Sequence, residues 1–182
     1  MKLRTMLITA LVMTGFLAAT CPGALAADLE NFRLHPPLTE EHAEYLGVER
    51  DKELSLSDIK ADYLLVEIFS MYCPYCQAEA KHVNALYEKI KKNHPERLKI
   101  IGVGAGNTTY EVEYFKKKYD VEFPLFSDSD YVIHKQVGQV GTPFFYLLKK
   151  QDDGTMEILM TQEGSYKDTE SFYKRIMQKS GL

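Results

Sequence analysis

The four residues Cys73-Pro74-Tyr75-Cys76 constrain this chain more than any other feature, because they stand where one structural pattern gives way to another. The run before them, from Leu64 to Phe69, is apolar apart from one glutamate and is typical of a buried central strand. After them, apolar residues recur at helical spacing, which predicts a helix from about Cys73 to Lys92. The two cysteines are therefore predicted to lie at the N-terminus of a helix that follows a buried strand.

This position favours thiolate chemistry at the first cysteine. The first backbone N–H groups of a helix are unpaired and its dipole is positive at that end, so a thiolate is stabilised there. We therefore expect the pKa of Cys73 to be lowered and Cys73 to be the nucleophile. Cys76, one turn further on, is close enough to form a disulfide with it, and Pro74 suits the first helical turn because it has no N–H to lose.

Other uses of a Cys-x-x-Cys pair lack the residues that they need. A zinc site of this type requires a second cysteine pair or a pair of closely spaced histidines, and neither follows in the sequence. Covalent haem attachment requires a histidine after the second cysteine, where this chain has Gln77. A static disulfide across two residues would constrain little of the chain. We therefore interpret the pair as redox-active.

The N-terminus predicts export. Lys2 and Arg4 precede an apolar stretch, and Ala24-Leu25-Ala26 has the small-residue pattern of a cleavage site, so we predict a signal peptide over residues 1–26. An uncleaved membrane anchor and a lipoprotein modified at Cys21 are the alternatives. The chain has three cysteines, and cleavage would leave only the two of the motif, which are then not part of a structural disulfide framework.

The chain as a whole has the composition of a soluble globular protein. Hydrophobic residues make up 45% and charged residues 26% of 182 residues, and a net charge of −4 gives no support to nucleic-acid binding. Beyond the cysteines, the patterns run strand, helix, strand, helix, hairpin and helix, which predicts an α/β sandwich with a mixed sheet. Residues 27–53 are predicted to be an irregular extension with one short helix between Thr39 and Gly47, and residues 54–182 to be the domain.

Two motifs together resemble the thioredoxin superfamily. The stretch from Phe69 to Cys76 is followed by a helix, and Gly141-Thr142-Pro143 stands before a strand. Leu54 to Lys60 and Phe123 to Asp128 are similar to the TlpA/ResA branch, which inserts an extra helix and strand into the thioredoxin core. The resemblance covers Leu54 to the C-terminus and implies a thioredoxin-like α/β fold, with a central mixed sheet flanked by helices and a short helix–strand insertion. The sequence departs from the family at Tyr72, where a tryptophan usually precedes the first cysteine.

The resemblance also implies roles for the reacting residues. Cys73 and Cys76 would be the redox-active pair. Glu67, six residues before the first cysteine, stands where thioredoxins hold a buried carboxylate that moves protons to and from the second cysteine. Its apolar neighbours favour burial, and burial raises the pKa of a carboxyl group enough for acid–base work near neutrality.

Substrate contacts are implied on both sides of the cysteines. In the family the threonine–proline bond is cis and lies beside the cysteines, so Thr142 and Pro143 would pair with an extended substrate segment. Pro74 and Tyr75, between the cysteines, would contact it as well. The implied substrates are thiol or disulfide proteins, and a membrane redox partner would recycle the cysteines. We expect the protein to be a monomer that needs no metal or diffusible cofactor and binds no nucleic acid.

We therefore predict a periplasmic or otherwise extracytoplasmic thiol–disulfide oxidoreductase. The reductase direction is favoured, because the residues between the cysteines carry no positive charge that would stabilise the thiolate of a strong oxidant. The stretch from Val66 to Ser70 resembles DsbA and makes an oxidase the alternative. A peroxiredoxin-type peroxidase would need proline where the chain has Val66, and a Cu(I) chaperone would need Met71 or His134 as a further ligand.

Overall fold

The computed structural model describes residues 28–35 and 37–182. The predicted signal peptide lies outside these residues. Within them, no helix combines the length and the apolar character that crossing a membrane requires. The helices and strands, in chain order, are β1 (Asp28–Leu29), β2 (Arg33–Leu34), α1 (Glu40–Leu46), β3 (Leu54–Ser55), β4 (Tyr63–Phe69), α2 (Pro74–Asn93), β5 (Leu98–Ala105), α3 (Thr109–Lys118), β6 (Leu125–Asp128), α4 (Val132–Gln136), β7 (Phe144–Lys150), β8 (Met156–Glu163) and α5 (Thr169–Ser180).

A mixed sheet with the strand order β1-β8-β7-β4-β5-β6 forms the centre of the molecule. β4, β5 and β6 are parallel, whereas β7 is antiparallel to β4 and β8 is antiparallel to β7. Between β5 and β7 the chain adds α3, β6 and α4, and β6 extends the sheet beyond β5. These observations confirm the predicted α/β fold with a central mixed sheet flanked by helices.

β4 divides the core into two layers. All of its residues are buried, and successive side chains of a strand point to opposite faces of the sheet. Leu64, Val66 and Ile68 pack in the core on one face, whereas Leu65 and Phe69 pack with α2 on the other. Glu67 alternates with Leu65 and Phe69, so its side chain lies on the α2 face, beneath the helix that begins after the first cysteine.

Residues 28–53 differ from the predicted irregular extension. β1 pairs with β8 at the edge of the central sheet, and β2 pairs with β3 in a separate two-stranded sheet. The short helix between Thr39 and Gly47 is present as α1. Phe32, Leu34 and Leu46 are buried against the face that carries Leu64, so this segment covers one side of the domain core. Strands of two residues are too short to produce an alternating pattern in the sequence, which is why they were not predicted.

Replacing Phe32 with alanine is expected to lower the free energy of unfolding by about 3–5 kcal/mol. The side chain is only 1% exposed, so its removal leaves a cavity in the core. Urea unfolding followed by circular dichroism measures the loss. Tyr110→Ala is the matched control, because that side chain is 78% exposed and its loss should change the free energy of unfolding by less than about 0.5 kcal/mol. A Phe32→Ala protein as stable as the control would show that the segment does not belong to the folding unit.

Candidate active site

Cys73 caps the N-terminus of α2. Its backbone is extended (φ −82°, ψ 114°), Pro74 begins the helix, and the Cys76 N–H donates a hydrogen bond to the Cys73 Sγ at 3.4 Å. The Cys73 thiol donates in turn to the Thr142 carbonyl at 3.2 Å. The peptide bond between Thr142 and Pro143 is cis, as the family resemblance implies. The fold thus brings together the two motifs that the sequence separates by 69 residues.

The surroundings of Cys73 favour its ionised form. Partial burial raises the pKa of the Cys73 thiol, but hydrogen bonds from the Thr142 side chain, from Cys76 and from the Tyr75 backbone lower it by more. The net result is a pKa below the ordinary value for cysteine. Both cysteines are free thiols, and Cys73 is the one that solvent reaches. Both properties favour Cys73 as the nucleophile of the pair.

Cys76 is in the opposite situation. Its side chain is fully buried, and burial raises the pKa of the Cys76 thiol well above its ordinary range, with the charge of Glu67 acting in the same direction. Glu67 is also buried, as its apolar neighbours predict. Burial raises the pKa of Glu67 to about 8, and the charges of Glu79 and Cys73 contribute to the same shift. The Cys76 thiol, which resists ionisation, thus lies in the same apolar layer as the Glu67 carboxyl group, which titrates near neutral pH.

A second carboxylate, Glu79, is buried as well and was not predicted from the sequence. It is 1% exposed, and its carboxylate accepts hydrogen bonds from the Ser165 hydroxyl and from the backbone N–H groups of Tyr166 (3.0 Å) and Lys167 (3.3 Å). These donors lie in the loop between β8 and α5. Glu79 stands three positions after the second cysteine and four before Val83, a spacing that places it on the buried face of α2. That spacing was the available signal, since an acidic residue on the apolar face of a helix is unusual.

The backbone just before Cys73 is held by two amide side chains. Asn107, which is fully buried, accepts a hydrogen bond from the Met71 N–H at 2.8 Å. The Gln77 side chain donates to the Met71 carbonyl at 2.7 Å. Both contacts fix the turn that presents Cys73. His134, one of the two further copper ligands considered from the sequence, has its Nε2 2.8 Å from the Val140 carbonyl.

The residues between the cysteines face solvent. Pro74 is exposed, and Tyr75 exposes 71% of its surface. On the other side of Cys73, Thr142 is half-buried and Pro143 is buried. The side chains expected to contact substrate therefore flank the accessible sulfur, although Pro143 presents little surface of its own.

Comparison with known proteins assigns the family. The model of the AhpC/TSA family matches residues 21–160. This chain belongs to the AhpC/TSA family. A ResA thiol–disulfide oxidoreductase of Bacillus thuringiensis subsp. konkukian (strain 97-27) is 30% identical over 125 residues, which cover 69% of each chain. The ResA protein of Bacillus anthracis is 25% identical over 170 residues, which cover 93% of each chain.

Solved structures support the fold of this AhpC/TSA-family protein. A DsbE-type thiol:disulfide interchange protein from Chlorobium tepidum superposes with a TM-score of 0.62 at 18% identity, covering 85% of this chain and 94% of that one. StoA from Bacillus subtilis superposes with a TM-score of 0.55 at 21% identity, covering 68% and 88%. Together with the sequence relatives, these likenesses show a thioredoxin-like thiol–disulfide oxidoreductase of the ResA/DsbE type.

A peroxiredoxin-type peroxidase would need a proline at position 66, where this chain has Val66. This residue pairs with Ile101 on one side and with Tyr146 on the other, in the middle of the sheet. A proline there would lack the backbone N–H that a central strand uses in its ladder. The site is therefore built around the two cysteines and the buried carboxyl groups.

Alkylation of the reduced protein near pH 6 is expected to modify Cys73 on the order of 100-fold faster than Cys76. The reason is the combination of exposure and lowered pKa at Cys73 with full burial and raised pKa at Cys76. Mass spectrometry of peptides after brief iodoacetamide treatment measures the two rates. Preferential labelling of Cys76 would reverse the assignment of the nucleophile.

Proposed function

We propose that this protein is an exported oxidoreductase that exchanges its Cys73–Cys76 dithiol and disulfide with partner proteins. The observation that carries the proposal is the asymmetry of the pair: an accessible, acidified Cys73 at the start of α2, and a buried Cys76 whose backbone N–H lies 3.4 Å from the Cys73 Sγ. The predicted signal peptide supports export, and the ResA relatives support the reaction class.

The first step is attack on the substrate. The Cys73 thiolate attacks one sulfur of a substrate disulfide, a Cys73–substrate disulfide forms, and the other substrate sulfur leaves as a thiolate that takes a proton from water. Hydrogen bonds at the helix N-terminus stabilise the attacking thiolate before this step. The Thr142 carbonyl lies 3.2 Å from the Cys73 sulfur, and Thr142 would pair with the backbone of the substrate segment. The exposed residues Pro74 and Tyr75 would contact the same segment.

The second step releases the substrate. Cys76 gives its proton to Glu67 and attacks the Cys73 sulfur, so that the Cys73–Cys76 disulfide forms and the second substrate sulfur leaves. Two electrons pass from the protein to the substrate in one cycle. Glu67 suits the role of proton acceptor because its pKa of about 8 is close to the working pH. A membrane redox partner would then reduce the protein disulfide.

The direction proposed is reduction of substrates. No cationic side chain stands between the cysteines, and the charge of Glu67 raises the pKa of the Cys76 thiol. Equilibration with glutathione buffers, read by alkylation and mass spectrometry, should give a potential of about −200 mV or lower. A potential near −120 mV with fast oxidation of reduced proteins would instead establish a DsbA-like oxidase.

A further inference from the structure

Exposed aromatic side chains gather on one edge of the molecule. In the part of the chain that the structure describes, the exposed large hydrophobic residues are Tyr72, Tyr75, Tyr110, Tyr114, Tyr131 and Val132. Two of the tyrosines flank Cys73 after β4, Tyr110 follows β5, and Tyr131 follows β6. Because β4, β5 and β6 are adjacent and parallel, the segments after their carboxyl ends meet at the same edge of the sheet. We call Tyr72, Tyr75, Tyr110 and Tyr131 the tyrosine edge.

Contacts join the tyrosine edge into one surface. The Tyr72 hydroxyl donates a hydrogen bond to the Glu111 carboxylate, which connects the turn before Cys73 to the start of α3. The Tyr131 hydroxyl lies directly over Gly106, where a Cβ would collide with it and where the backbone has a φ of +66°. Gly106 in turn precedes Asn107, which binds the Met71 backbone. These contacts link the turn before Cys73, the start of α3 and the residue before α4 through the loop after β5.

The rings of the tyrosine edge differ from most of the other tyrosine rings in the residues that the structure describes. A lysine or arginine lies over six of the other eight rings, at 4.6 Å for Lys99 on Tyr45 and at 5.7 Å for Lys118 on Tyr114. The other tyrosines covered in this way are Tyr63, Tyr87, Tyr119 and Tyr173. The two exceptions, Tyr146 and Tyr166, are buried and half-buried. Among the described residues, the four rings of the tyrosine edge have no such cation, although Tyr110 is 78% and Tyr72 is 64% exposed. The faces of these four rings can therefore accept a cation from a bound partner.

Negative charge accompanies these rings. Hydrogen bonds from Tyr72 and Thr108 lower the pKa of Glu111, so this carboxylate between Tyr72 and Tyr110 stays ionised. Beyond Tyr131, Asp130 and Glu30 line a groove of about 470 Å³. A cation is present there too, since the Lys135 ammonium group donates to the Asp130 backbone carbonyl at 3.5 Å. The arginine of that groove, Arg33, is paired with Glu53 at 2.9 Å. Carboxylates beside uncovered rings are complementary to a basic polypeptide.

We propose that the tyrosine edge binds an extended, basic segment next to the reacting cysteine of the substrate protein. The inference rests on the proposed thiol–disulfide exchange and names the class of substrate for the same site. β6 lies two strand spacings from β4, about 10 Å, which an extended chain covers in about three residues. With the substrate sulfur at Cys73, a lysine or arginine about two to four positions away then lies over Tyr110 or Tyr131 and close to Glu111.

The test compares three short peptides, each with one cysteine in a mixed disulfide with 2-mercaptoethanol. Lysine, glutamate or serine occupies the flanking positions. The reduced full-length protein reacts with each peptide, and the rate constants are divided by the rate constant for hydroxyethyl disulfide, which has no flanking segment. Two cation–π contacts together with the carboxylates predict that the lysine peptide reacts roughly tenfold faster than the glutamate peptide at low salt, and that added salt narrows the difference.

Single substitutions show which residues cause the preference for the lysine peptide. Tyr110→Ala and Tyr131→Ala should each lower the lysine-to-glutamate ratio by about two- to fivefold. Glu111→Gln should lower it as well while keeping the helix cap, since glutamine fits the same position. Tyr114→Ala and Glu113→Gln are the matched controls on α3, one with its ring already covered by Lys118 and one an exposed carboxylate outside the tyrosine edge. Both controls should keep the wild-type ratio.

Three results distinguish support for this inference, its failure and the failure of the proposed function. A tenfold preference that falls in the edge variants and persists in the controls establishes the basic segment. A wild-type protein that reduces hydroxyethyl disulfide but treats the three peptides alike, or whose preference survives in Tyr110→Ala, Tyr131→Ala and Glu111→Gln, overturns this inference and leaves the proposed function intact. A protein that reduces none of the disulfides overturns the proposed function itself.

Discussion

Replacing Cys76 with alanine is expected to stop turnover while preserving the first step, so that the protein accumulates as a disulfide with its substrate. Cys73 keeps its exposure, its contact with Thr142 and its helix N-terminus in this variant. The second step, however, loses its intramolecular nucleophile. Attack by a thiol from solution replaces a group of very high effective concentration, so steady-state turnover should fall by roughly a thousandfold or more.

Non-reducing electrophoresis and mass spectrometry of the Cys76→Ala protein, incubated with a disulfide-bonded protein substrate, measure the trapped species. Cys73→Ala serves as the control, because it removes the attacking sulfur and should give neither turnover nor a mixed disulfide. A Cys76→Ala protein that turns over at more than about a tenth of the wild-type rate would mean that release does not depend on the buried thiol.

Replacing Glu67 with glutamine is expected to slow the second step by roughly a hundredfold at pH 8. In the wild-type protein this step should accelerate as the pH rises towards the pKa of Glu67, about 8, because the ionised carboxylate is the form that accepts the Cys76 proton. The glutamine variant should lose this rise. Stopped-flow decay of a preformed mixed disulfide between pH 6 and 9 measures both effects, with Glu113→Gln as an exposed control.

The free energy of unfolding gives an independent measure of the protonation of Glu67. Burial raises the pKa of Glu67 from 4.5 to about 8, so between these values the folded protein holds a proton that the unfolded chain has released. The free energy of unfolding of the wild-type protein should therefore decrease as the pH rises from about 5 to 8, and that of Glu67→Gln should decrease less. Equal pH dependence of the two proteins in urea unfolding would show that Glu67 does not titrate in this range.

Much of the fold follows from local patterns. The apolar run before the cysteines, the helical spacing after them and the caps of α1 lie within short stretches, and the structure places β4, α2 and α1 close to their predicted positions. Export, the site roles and the direction of electron flow stay predictions from the sequence, and the experiments above address the last two. The N-terminal strands could not be predicted, because two paired residues leave no periodic signal.

By itself, the sequence determined that a cysteine stands at the start of a helix, because a strand, two cysteines and a helix are contiguous in the chain. Only the tertiary structure decided what surrounds that thiol. Glu79 is held by a loop 86 residues away at Ser165, and the uncovered tyrosines meet because three parallel strands end at one edge. The burial of a side chain, its pKa and its neighbours on the surface depend on contacts between distant segments, and no local pattern in the chain encodes them.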